Sequence, residues 1–168
     1  MPVLHCTNAL LQAIGSSSLS DIASVVSPLG DWYGHLFDFD DRTCVMFINE
    51  LTLFACPVID VLPTHCREIA SLFCTALAWT LRATEFRESD VAWMVDIHRE
   101  LTLGRTVNRS TVASLNNRIV NVKDTLRWQG VDRCDLAALT LLLNHMPIKA
   151  IRHSSGCEQL RRLVDDRL

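Results

Sequence analysis

A chain of 168 residues has the length of one ordinary domain, and 49% hydrophobic with 21% charged residues, 6 Gly and 5 Pro exclude a disordered polymer, a collagen-like chain and a low-complexity linker. No apolar run approaches the ~20 residues that cross a bilayer, and a formal net charge of -3 is too close to neutral to indicate nucleic acid by bulk electrostatics. Seven cysteines form an odd set without a C-x-x-C pair and with no signal peptide expected ahead of them, so a reduced cytoplasmic protein whose thiols pack as small hydrophobes is predicted.

Val3 to Cys6 reads as a short strand, and Thr7 as the cap of a helix over Asn8 to Ile14, with Leu10, Leu11 and Ile14 at helical spacing and Gly15 ending it. Residues 16–30, rich in Ser and holding Pro28 and Gly30, read as a connection whose Ile22, Val25 and Val26 can reach the core. From Asp31 the texture becomes β. Trp32 to Phe39, Arg42 to Asn49 and Thr52 to Ile59 form an antiparallel meander, with Asp40-Asp41 at its first turn.

Pro63 and Thr64 open what reads as the longest helix, with Ile69, Leu72, Phe73, Ala76, Leu77 and Leu81 on one stripe. Ser89 caps another through about Glu100, turning Val91, Val95 and either Ala92 or Met94 inward. Leu101 to Val107 can return as a fifth strand. Val112, Leu115, Ile119, Val122 and Leu126 then mark a strongly periodic helix over Thr111 to Trp128. The next helix begins at Asp132, is apolar nearly all round from Leu139 to Leu143, and is expected to be deeply buried before Pro147 stops it. Ser155 to Leu168 is a final amphipathic segment. Together these predict a single α+β domain over residues 1–168, with a small antiparallel sheet (N-terminal strand, three-strand meander, strand near 101–107) packed against several helices.

No motif names a reaction. The six histidines and seven cysteines have no metal-ligand spacing, the Asp38, Asp40 and Asp41 cluster lacks the Gly and Glu of a calcium loop, and phosphate-loop, dinucleotide and G-x-S-x-G signatures are missing. No catalytic residue, metal or cofactor is therefore assigned, and a nucleophilic pair would have to assemble from afar, as Cys6 with His35 could. Charge is uneven: residues 1–60 hold one cation and seven anions, the remainder 15 cations and 12 anions, which suits an acidic and a basic face.

The candidate ligand- or partner-binding residues fall in three groups. Arg105, Asn108, Arg109 and Ser110 lie between a strand and a helix start, where anions bind and where Asn or Ser also caps. Asn116, beside Asn117, is a poor helix former that needs a hydrogen bond or a partner. Trp32 and His35, with Tyr33, form an aromatic group of the sort common at interfaces and common also as core material at a sheet margin, and Asn49 ends the next strand.

Several pieces taken in order, Leu4-His5-Cys6-Thr7, Trp32 with Arg42 and Phe47-Ile48-Asn49, Leu81-Arg82-Ala83-Thr84, Asn108-Arg109-Ser110 with Leu115-Asn116, and Asn144 with Pro147, resemble a bacterial family of hypothetical proteins known as a domain of unknown function. Members often carry His directly after the Trp, whereas here Tyr33 follows and His35 comes later. The resemblance implies one domain and brings no activity, cofactor or substrate. The leading expectation is a non-enzymatic module that binds a protein partner or another copy of itself. A nucleic-acid-associated regulatory or toxin-antitoxin component, using Arg105, Arg109 and the last arginines, and an enzyme acting on an anionic small molecule near Asn108 to Ser110 are the alternatives.

Overall fold

The computed structural model describes residues 1–15, 19 and 27–166, and the expected contacts of Ile22, Val25 and Val26 fall outside them. Five strands, β1 (Val3–Cys6), β2 (Trp32–Phe39), β3 (Arg42–Asn49), β4 (Ala55–Val58) and β5 (Thr102–Arg105), form an open sheet in the order β4-β3-β2-β1-β5. The helices are α1 (Asn8–Ile14), α2 (Pro63–Arg67), α3 (Ile69–Ala83), α4 (Glu88–Ile97), α5 (Arg109–Gln129), α6 (Leu136–His145) and α7 (Gly156–Asp165), so the fold is α+β. None of the described helices is long and apolar enough to cross a membrane.

The β2-β3-β4 meander is antiparallel, from Trp32↔Asn49 through Phe39↔Arg42 and on to Val45↔Val58, because tight turns reverse the chain. The sheet as a whole is mixed, which corrects the antiparallel expectation: β1 runs parallel to both β2 and β5. The connection over residues 7–31 contains α1, and that over 59–101 contains α2, α3 and α4, so in each case the chain returns to its starting side before entering a strand. The edge strand β4 begins only at Ala55 because residues 50–53 turn, with Leu53 at φ 56°. Its Pro57 cannot donate to a further strand, and the Asn144 amide closes on Ala55, accepting from its N-H and donating to its carbonyl, both at 2.8 Å.

Alternation of side chains gives the sheet two covered faces. On one, Leu4, Trp32, Phe47 and Cys56 pack with α1, α3, α4 and α7 through Leu10, Phe73, Leu77, Met94 and Leu160. On the other, Tyr33, Phe37, Met46 and Ile48 pack with α5 and α6 through Leu115, Ile119, Val122, Leu139 and Leu143.

Three helix expectations change. The helix read from Pro63 is broken at Glu68 (φ -107°, ψ 45°), leaving α5 as the longest, with 21 residues. α4 starts after Arg87, one residue ahead of Ser89, and stops at Ile97, with Val91 and Met94 buried. α6 is capped by the Asp135 carboxylate accepting from Ala138 N-H, while Asp132 sits in a preceding 3-10 turn; only Leu139, Thr140, Leu143 and Asn144 are buried, and Leu142 is 54% exposed. A helix lying against one side of a sheet can bury only one stripe, whatever its composition.

Candidate functional site

α5 begins where Asn108 Oδ1 accepts from the N-H groups of Ser110 and Thr111, so capping is what this asparagine does. Its Nδ2 donates to Glu50, and its N-H donates to the Tyr33 hydroxyl, tying the helix start to the sheet. From there α5 lays Leu115, Ile119, Val122 and Leu126 on the sheet, and Ser114, Asn117, Arg118 and Asn121, at i, i+3, i+4 and i+7, form an adjoining stripe on one side of the helix.

That polar stripe is one wall of a groove of about 650 Å³. Leu53 contributes from the β3-β4 turn, and Met146, Pro147, Ile148, Lys149 and Ala150 form the facing wall. A smaller depression of about 300 Å³, lined by Glu50, Asn108, Ser110 and Thr111, shares Leu53, Ser114 and Ala150 with it and extends it toward the helix start. The facing wall is held in shape by its own backbone: Ile148 N-H donates to Ser154 O, His153 N-H to Ile148 O, and Arg152 and His153 both take positive φ. Such conformations are costly for residues other than Gly and persist where surrounding contacts impose them. The turn on the opposite side is set by Asn49, whose Oδ1 accepts from the N-H groups of Leu51 and Thr52 while Nδ2 donates to Leu29 O.

Arg118 is the unusual member. It is only 4% exposed, and its Nη2 has no hydrogen-bond partner. Burial pushes its pKa down from the ordinary value. The other buried side-chain atoms without a partner, among the described residues, are the neutral hydroxyls of Ser27, Thr80 and Thr140. A buried charge with no counterion is far costlier than a buried hydroxyl. Among the described residues the lining of this groove holds no acidic side chain, and Glu50 lines the smaller depression that adjoins it.

The residues singled out from sequence do not converge on one site. Asn108 and Ser110 line the smaller depression, and Asn49 shapes the neighbouring turn from full burial. Arg109 is exposed at the helix start, Arg105 reaches Asn8 at 3.4 Å from the end of β5, and Asn116 is exposed on α5 outside the groove that takes in Asn117. Trp32 is fully buried and donates from Nε1 to His98 Nε2 at 3.0 Å, while Tyr33 is fully buried on the opposite face, so the two do not form a surface aromatic cluster. His35 is half-buried with Nδ1 2.7 Å from the Thr7 hydroxyl, and burial together with Lys123 lowers its pKa. Cys6 lies within the Trp32 core, where burial lifts the thiol to about 12 and keeps it protonated, so it does not pair with His35 as a nucleophile.

The sequence reading missed Arg118, Ser114, Asn121 and Lys149. The one signal available for the first three was a polar stripe at helical spacing beside an apolar one. No curated protein matches the chain. The family model for a domain of unknown function, DUF6933, matches residues 3–158, a span that takes in the whole sheet and both walls of the groove, and the chain belongs to that family.

Proposed function

We propose that the protein is a small-molecule-binding module whose ligand lies in the groove between α5 and the 146–151 segment. The groove itself carries the reading. Its volume of about 650 Å³ falls within the roughly 300–1,000 Å³ of ligand pockets, and its lining combines apolar surface from Leu53, Met146, Pro147 and Ile148 with a few polar groups held on a rigid helix. Two observations support this reading above those that sequence favoured. The interaction module drew on the lack of a catalytic motif and on aromatic and basic segments taken as exposed, and of these Trp32 and Tyr33 are core residues. The nucleic-acid reading drew on Arg105, Arg109 and the arginines of the last segment, and of these Arg105 reaches Asn8 while Arg161 donates to the carbonyls of Thr84 and Glu85 and lies over the Phe86 ring.

Ligand-observed NMR of the full chain against a chemically mixed small-molecule library tests the proposal, with Ser114→Trp to fill the groove from α5. Hits that vanish in a folded Ser114→Trp protein are expected. An absence of hits, or hits that survive the substitution, overturns the reading.

A further inference from the structure

Building on the reading of this groove as a ligand site, we propose that its occupant is an oxyanion, a single carboxylate or phosphate group carried on an apolar body, with the anionic head seated against the Arg118 guanidinium and Lys149 at the rim. A guanidinium stays charged in proteins and offers only donors, in a planar fork that matches carboxylate or phosphate oxygens two at a time. Arg118 is almost wholly buried with Nη2 unpartnered, and among the described residues the groove it lines contains no carboxylate. Folding therefore leaves a charge out of water that nothing in the described protein neutralises, a state that an arriving anion corrects.

The neighbours fit the same occupant. Ser114, Asn117 and Asn121 are uncharged groups able to donate to the anion's remaining oxygens, and they flank Arg118 on the same side of α5. Leu53, Met146, Pro147 and Ile148 cover an apolar body and no second charge. Glu50, which accepts from Asn108 at the far end, repels a second anionic group there and so fixes which way round the ligand lies.

Thermal shift and isothermal titration of the full chain with inorganic phosphate, phenyl phosphate, hexanoate and neutral hexanamide test this, at ionic strength matched with chloride. Phenyl phosphate or hexanoate should raise Tm saturably and bind at least tenfold tighter than hexanamide, and the stronger of the two identifies the head group. Arg118→Met should abolish that response yet melt no lower than the unliganded wild type, because the substitution removes an unpaired buried charge. Arg118→Lys, which keeps the charge without the fork, should weaken binding about tenfold and decides the matter if the Met variant does not fold. Anions that bind the Arg118 variants as tightly as the wild type, or hexanamide that binds as tightly as hexanoate, overturn the anion assignment and leave the groove as a site for neutral ligands. If no probe binds and the library also yields no hit, the groove reading fails with it.

Discussion

On one face of the sheet the Phe73 ring meets Trp32 and Phe47 edge to face at 5.0 and 5.1 Å, and the buried Trp32 indole donates to a buried His98. On the other, Leu115, Ile119 and Val122 fill the space against Tyr33 and Met46, and the buried charged group beside them, Arg118, has an Nη2 with no partner. Both faces are sealed by the same hydrophobic effect. The difference lies in what is left unmatched: on the first face it is the neutral Thr80 hydroxyl, and on the second a guanidinium nitrogen of Arg118, the group for which we propose a partner from outside.

Cutting into the first face is the strongest test of that contrast. Phe73→Ala removes a fully buried ring and should cost about 3–5 kcal/mol of unfolding free energy, more than Leu115→Ala on the other face, as read from urea midpoints. Equal losses would break the comparison. Trp32→Phe keeps an aromatic ring but leaves His98 Nε2 unmatched, and a loss of about 1–3 kcal/mol is expected.

Acid sharpens the same point. His98 donates from Nδ1 to Met94 O and accepts from Trp32, an arrangement that needs the neutral ring, and burial holds its pKa below the ordinary 6.5, as it does for His35. The unfolded chain therefore takes up protons near pH 6.5 that the folded chain refuses. Stability should be full above that pH and decline below it, by at most about 1.4 kcal/mol per pH unit for each histidine, until the folded rings titrate. His98→Gln should flatten part of the decline, and an unchanged slope would show that the Trp32-His98 pair is not its source. The smallest effect is expected at Arg109, exposed and outside the groove lining. Arg109→Ala should leave stability within about 0.5 kcal/mol and the affinity of any groove ligand unchanged, and a loss of binding would return the site to the helix start.

The meander was legible because aromatic and β-branched runs bounded by Asp40-Asp41 leave little choice, and both Trp32–Phe39 and Arg42–Asn49 stand where the pattern puts them. Asn108 was legible as a cap for an equally local reason. The direction of β1 was not, since it depends on where a long connection delivers the chain rather than on the strand's own residues. The break at Glu68 was hidden by a residue that is an ordinary helix former. Arg118 was hidden more thoroughly: an arginine among asparagines on a helix reads as a solvated face, yet it is buried and lines a groove whose facing wall comes from residues some thirty positions further on.

The closed margin at β4 bears on how this protein survives at high concentration. A bare outer strand invites an identical strand from a neighbouring molecule, the first step toward fibrils. Here a side-chain amide from α6 occupies both hydrogen-bonding groups of Ala55, and two residues on a proline has no hydrogen to offer. Asn144 thus acts as a one-residue substitute for a sixth strand, and replacing it with leucine would unlock a templating surface for polymerisation without touching the groove.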